Sequence, residues 1–575
     1  MKPCFAFLSL LFILSTSAAN AVALDREAFT FTTYDLNVQI EPEQHRLGVR
    51  GKITLRNDSQ SPQKIAVLQI SSSLGWRSIK AGDSPLQFVS QPYTSDVDHT
   101  GGLSEAIVTL PQALAPKGTI ELEIAYEGVI LLDATRLTRI GTPEEAAKNT
   151  DWDQIGPGFT AVRGVGYVAW YPIATEVANL SEGNSLFEVL GRWKNREAAS
   201  VMKIGFMPPL AGDATPPVRV CGGSELHTVT REGTSKFPWS ECSYQPLGLS
   251  VPAFAVARYG VVDRPAITVY NLPEHAVAAE NYAEAAEKAS PLITDWFGAP
   301  REKARTADLT DAASAPFESG SFLLTPLTDS DSRMPGLAAA HQLTHAAFSS
   351  FRPWIEEGLA HFAQALYIER EKGRPAALDY MGLHRFALNE IEQSTTMPRS
   401  EDEVNRSLVN TTNEELYRSK AMCVWWILRD MVGDSALKKA IAAYRPEQDK
   451  EPSYMPRLIA AQTQRDLEWF FDDWVYRDRG LPDFKVESVF SRKAMTGVFI
   501  LTITLDNLGT AGAEVPIIVK FSGGEIMRRL EVHAKNKAVI RVEVSATPQE
   551  IVVNDGSVPE SDVSNNTFKI EPTDK

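Results

Sequence analysis

Apolar and polar residues alternate through much of the first 260 positions, as in Tyr34-Asp35-Leu36-Asn37-Val38-Gln39-Ile40 and Thr119-Ile120-Glu121-Leu122-Glu123-Ile124. Alternation puts one side-chain set on each face of a strand, and the runs are separated by Gly, Pro, Asn and Asp clusters that make turns. A β-rich region is therefore predicted from about Thr30 to Val262. The period then changes. Glu274 to Trp296 is rich in Ala and Glu at helical spacing, and the helix is predicted to be interrupted or to end near Pro291. Helical patterns dominate from Leu337 to about Arg479, including Glu415 to Met431, Ser435 to Tyr444 and Leu467 to Tyr476. After Gly480-Leu481-Pro482 alternation returns. Phe499, Leu501, Ile503 and Leu505 share one face, Ile500, Thr502 and Thr504 the other, and Val515 to Phe521 and Val539 to Val544 add strands of a small β-sandwich. The expected class is α+β multidomain: 24–262 β-rich, 263–480 helical and 481–575 a C-terminal β-sandwich. Short-period repeats and low-complexity tracts are absent from the sequence.

A chain of 575 residues exceeds one hydrophobic core, so three or four domains are expected. With 43% hydrophobic and 23% charged residues, bulk disorder is excluded. The formal charge of −16 argues against a nucleic-acid partner. Residues 1–23 read as a signal peptide: Lys2 is the basic start, Phe5 to Leu14 the apolar stretch, and cleavage falls near Ala21 or Ala23. That stretch is too short to span a bilayer, and Cys4 precedes it, unlike a lipidated cysteine. The expectation is an exported protein, periplasmic or extracellular, with no integral membrane segment after cleavage. Cys221 and Cys242 bracket a Gly/Ser-rich loop and are a candidate disulfide, whereas Cys423, in the apolar run Met422-Cys423-Val424-Trp425-Trp426, reads as a buried free thiol.

The chemistry concentrates in His341-Gln342-Leu343-Thr344-His345 and in Trp354-Ile355-Glu356-Glu357-Gly358. Histidines at i and i+4 return to one helical face and can share a Zn²⁺, with a carboxylate from a second helix as third ligand and a fourth position left to water. In the HExxH form the glutamate beside the first histidine is the general base. Here that residue is Gln342, an amide with no useful basicity. A general base contributes roughly 10²–10⁴-fold to rate, so hydrolysis is expected to be impaired.

These motifs resemble those of the gluzincin metallopeptidases of the membrane-alanyl-aminopeptidase and leukotriene-hydrolase type. The resemblance covers most of the chain in element order and implies a thermolysin-like zinc domain in the middle. It implies His341, His345 and Glu357 as metal ligands, with Trp354 to Gly358 similar to the family's W-L-x-E-G and a connection shorter than the family's. Ala315-Pro316-Phe317-Glu318-Ser319-Gly320 resembles the G-A-M-E-N strand, which implies that Glu318 binds a substrate's amino group. Tyr417-Arg418-Ser419-Lys420-Ala421 resembles Y-E-K-G with one residue inserted, and implies Tyr417 as the oxyanion stabiliser. Asp466 to Trp474 looks like the end of the family's helical region. Tyr167 to Pro172 carries no carboxylate matching the family's N-domain amine binder.

Glu318 is the better substitute base, since Glu356 should point about 100° round the helix from Glu357. His361, one turn after Glu357, could face the metal but reads first as a packing or supporting histidine, and the Trp425/Trp426 and Trp469/Phe470/Phe471/Trp474 groups read as core. Three functions remain distinct. The chain is a zinc metallopeptidase-type protein acting on peptides, a pseudopeptidase that binds peptides or proteins in the same cleft, or a metal-free spacer. Oligomeric state is not written in the sequence.

Overall fold

The computed structural model describes residues 24–207, 217–229, 239–328, 334–394, 407–477 and 479–570. The expected signal peptide lies outside the described residues. The chain builds a β-rich N-terminal region, a helical middle region and C-terminal β-sheets, an α+β arrangement.

The alternating runs form strands with the expected faces. In Phe29–Glu41, Tyr34, Leu36 and Val38 are buried while Asp35 is exposed. In Thr119–Val129, Leu122, Ile124 and Tyr126 are buried. Phe29–Glu41 pairs antiparallel with Arg46–Asn57 and parallel with Val201–Phe206 inside an eight-stranded sheet. A three-stranded and a four-stranded sheet complete this region. Each fully buried Leu or Val side chain contributes roughly 1.5–3 kcal/mol, which fixes the register because a one-residue slip would expose the whole set. Cys221, in the four-stranded sheet, is disulfide-bonded to Cys242 in the eight-stranded one. Cys423 is a buried free thiol whose ionisation burial pushes up to about 12.

The middle region hangs on a five-stranded sheet in the order Gly260–Asp263, Ile267–Asn271, Ala304–Asp308, Phe322–Thr325, Phe317–Ser319. The three inner strands are parallel, and the edge strand Phe317–Ser319 runs antiparallel to its neighbour. The helix Ala276–Phe297 links the first two parallel strands. It continues through Pro291 instead of breaking there, and stops at Gly298 with φ of 90°. Pro291 is on the solvent face, so the carbonyl it leaves without a partner is open to water. On the opposite face Ala279, Ala283, Ala286 and Ile293 are buried.

Beyond the sheet lie the helix Met334–Ala347, which carries both histidines, and Pro353–Lys372, which carries Glu357. The connection between them spans only 348–352, yet it allows the reversal. Trp354 and Trp425 stack with centroids 5.1 Å apart, and Trp426, Phe470, Phe471 and Trp474 are buried, so these aromatic groups are core. The C-terminal strands form a three-stranded and a four-stranded sheet. In Phe499–Asn507, Leu501, Ile503 and Leu505 are buried as the alternation requires. One apolar cluster runs from Ala266 to Val558, so the helical region and the C-terminal sheets share a core, while a second serves the N-terminal region. Among the described residues, no helix is long and apolar enough to cross a membrane.

Candidate metal centre

The two histidines emerge from one face of Met334–Ala347, as i and i+4 must. Their Nε2 atoms are 3.1 Å apart. Glu357 Oε2 lies 3.7 Å from His341 Nε2, and its Oε1 3.9 Å from His345 Nε2. Nitrogen and oxygen ligands about 2.0–2.1 Å from a tetrahedral ion sit roughly 3.3 Å from one another, so these three side chains are near ligand spacing. Two triads of the described residues could hold a metal ion, Glu318/His341/His345 and His341/Glu357/His361, each with its ligand atoms within 4.8 Å of one another. His341 belongs to both.

Each predicted site residue has a definite place. Glu318 projects from the edge strand Phe317–Ser319, with Oε2 3.4 Å from His341 Nε2 and its side chain 29% exposed. The N-terminal region clamps that strand. Ser319 Oγ receives the Val251 amide and donates to its carbonyl, Trp152 Nε1 donates to Ala315 O, and Tyr167 packs edge-on to Phe317 at 5.4 Å. Tyr167 thus supports the strand under Glu318 from a segment that lacks an amine-binding carboxylate.

Gln342 is fully buried, and the protein satisfies all of its amide. Its Oε1 accepts from the hydroxyls of Tyr282 and Thr306, both at 3.0 Å. Its Nε2 donates to the carbonyls of Arg305 at 2.6 Å and Ser321 at 2.8 Å. An amide can both donate and accept, which a carboxylate cannot, so this position ties the histidine helix to the sheet. Gln342 is a structural tether.

Tyr417 lies in a π-helical turn, Leu416–Lys420, that leads into the helix Ala421–Val432. A π turn accommodates one extra residue, which matches the insertion read in the Tyr417 motif. Tyr417 is buried and hydrogen-bonded to Glu414; burial and that carboxylate hold its phenol well above the usual range. From the same turn Arg418 reaches the site, its Nε 3.3 Å from Glu357 Oε2 and Nη1 3.0 Å from Glu414 Oε2. Sequence reasoning missed Arg418. Nothing in residue spacing says which side chain of a widened turn faces inward.

Glu356 was weighed as a substitute base. Instead, its Oε1 lies 3.2 Å from His345 Nδ1 and its other oxygen accepts the Ser350 amide. With the proton on Nδ1, this contact fixes the ring and leaves Nε2 free to coordinate, the usual carboxylate support of a metal-binding histidine. The 100° offset from Glu357 was legible, but not that it would bring Glu356 to the far edge of the same imidazole.

The electrostatics follow. Burial pushes Glu318 up to about 8, the histidine at 345 and Arg418 pulling against it and Glu357 adding to it. Burial opposes charge on Glu357, yet Arg418 and the neighbouring histidines outweigh it and hold this carboxyl below its usual range. For His345, burial is outweighed by Glu356 and Glu357, which lift it to about 9. Burial drives His361 down to about 3, Arg418 adding to the effect, and drives His341 well below its usual value.

The donor set of imidazoles and carboxylates fits Zn²⁺, with the second-sphere support such a site needs. Neither a protein-family model nor a curated protein matches the chain. Among solved structures, the chain is similar to an M1 zinc metallopeptidase from Deinococcus radiodurans, with 16% identity over 80% of this chain and 96% of that one and a TM-score of 0.48. Structures of a mutant of that enzyme, alone and bound to a Tyr-Ser-Ala substrate, match with the same values.

Proposed function

We propose that this is an exported, zinc-binding, peptidase-like protein that takes peptides in the cleft beside Glu318, with hydrolysis impaired. The observation that carries the reading is the convergence of His341, His345 and Glu357 at near-ligand distances, with Glu356 orienting His345. The Cys221–Cys242 disulfide accords with an oxidising compartment. Zinc held there with one position open would act as a Lewis acid on a peptide carbonyl; with all four positions filled by protein it would only hold the site together. Around it, Glu318 offers a carboxylate at the edge strand to a peptide's amino group, and Arg418 neutralises Glu357 and holds it in place.

A second reading, binding without hydrolysis, is favoured by one observation: the Gln342 amide has no free polar atom to give to substrate chemistry. Glu318, with Oε2 3.4 Å from His341 Nε2, is the candidate substitute base.

The test uses the mature protein, with zinc measured after dialysis and a peptide panel followed by calorimetry and mass spectrometry. Stoichiometric zinc with peptide binding and little or no cleavage is expected. A protein that returns zinc-free and binds peptides equally well as His341→Ala would sink the reading. Rapid turnover lost in Glu318→Gln would instead assign Glu318 as the base.

A further inference from the structure

The helices that carry the metal residues each present two potential donors four positions apart. On Met334–Ala347 they are His341 and His345; on Pro353–Lys372 they are Glu357 and His361. An i, i+4 pair shares one helical face, and here the two faces look at each other. The His361 ring meets the His341 ring edge-on at 4.8 Å, and one of its nitrogens lies within 4.8 Å of the facing donor atoms of His341 and Glu357. Its Nδ1 is buried with no hydrogen-bond partner. A packing histidine in the interior normally donates or accepts at each buried nitrogen, because a polar atom removed from water without a partner costs stability. His384 illustrates the satisfied case: its Nδ1 is 3.0 Å from Ser419 Oγ. By contrast, His361 has an orphaned nitrogen and two metal-type donors, His341 and Glu357, as neighbours.

We propose that His361 is a fourth protein ligand, so that His341, His345, Glu357 and His361 together close the shell of the bound ion. This rests on the metal reading above and goes beyond it. Four protein donors fill a tetrahedral site, as in structural zinc centres, whereas catalytic centres keep one position open. The ion then pins the two helices together instead of presenting itself to substrate. Such a shell agrees with Gln342 serving as a tether, because a closed site has no use for a base.

The experiment is zinc K-edge X-ray absorption on the intact mature protein loaded with one equivalent of Zn²⁺. The proposal expects three imidazoles and no exchangeable water. Zn²⁺ affinity, measured by competition with a chromophoric chelator, should fall at least ten-fold in His361→Gln. The visible spectrum of the Co²⁺ form should ignore added azide in the wild type and respond to it in the variant. Two imidazoles in the wild type, or unchanged affinity in a folded His361→Gln, overturns the fourth ligand and leaves the three-ligand reading standing. Failure of the wild type to bind Zn²⁺ at all overturns both. The absorption measurement needs no variant, so misfolding of His361→Gln would not remove the test.

Discussion

The Nδ1 atom of His345 lies 3.2 Å from Glu356 Oε1, while its Nε2 lies 3.9 Å from the carboxylate of the next residue, Glu357. Consecutive glutamates of one helix thus address opposite edges of one imidazole from another helix. One lies near ligand spacing from the ring and the other at hydrogen-bond distance. Removing a supporting carboxylate of this kind typically weakens metal affinity about 10–100-fold. Glu356→Gln should therefore bind Zn²⁺ more weakly by that factor in a chelator competition, with secondary structure intact by circular dichroism. Unchanged affinity would show that the contact does not support the ligand.

Restoring a glutamate at position 342 should not restore a peptidase. Gln342 donates to the carbonyls of Arg305 and Ser321, and a carboxylate in its place would turn acceptors towards acceptors. Leaving a buried polar group without its partner costs about 1–3 kcal/mol. Gln342→Glu should unfold at lower temperature than the wild type and gain no activity on peptides. Its carboxyl would be held protonated in the folded state, with a pKa raised above the unfolded value of about 4.3. Between those values the folded state binds more protons, so the deficit should deepen as pH rises. A thermal melt series against pH checks both statements.

Gly358 follows the proposed ligand Glu357 and faces the helix Ala421–Val432. A Cβ there would sit 2.7 Å from Ala421 Cβ and 3.0 Å from Trp425 Nε1. Alanine gains up to about 1 kcal/mol over glycine in helix propensity, but overpacking a tight interior costs typically 1–3 kcal/mol. The clash wins because Ala421 has no flexible end to move. Gly358→Ala should lower the melting temperature and, by shifting Glu357, weaken Zn²⁺ binding, which calorimetry would read directly.

The zinc-free protein should be most stable near the ordinary histidine value of 6.5 as far as this site decides it. His361, held down to about 3, and His341, also lowered, are neutral when folded. Their contribution is present above 6.5 and lost as pH falls. His345, raised to about 9, stabilises fully below 6.5 and loses that contribution as pH climbs through 9. Glu318, raised to about 8, adds a loss in the same direction above its usual value. Zinc should flatten the alkaline side, since the ion displaces the His345 proton. Melting temperatures from pH 4 to 9, with and without Zn²⁺, would show it.

The Cys221–Cys242 bridge closes a loop of sequence separation 21 between two sheets of the N-terminal region. Loop-closure entropy gives such a cross-link about 3 kcal/mol of stabilisation. Cys221→Ser with Cys242→Ser should lower the denaturation midpoint accordingly while leaving Zn²⁺ affinity unchanged, because the bridge is outside the metal centre.

The sequence by itself determined the order of strands and helices and the pairing of His341 with His345. Both follow from local periods, two residues for a strand and 3.6 for a helix, which no distant contact can alter. Leu501, Ile503 and Leu505 share one face for that reason, and Glu357 was singled out through the resemblance of its short motif. What tertiary structure decided is everything that depends on a second element. Pro291 stays inside its helix because a buried alanine face holds it. Gln342 is a tether because the sheet brings two carbonyls and two hydroxyls to it. Glu356, Arg418 and His361 gain their places only when two helices and a widened turn converge on His341 and His345. Directions across such interfaces are set by how elements pack, and packing joins residues far apart in the chain.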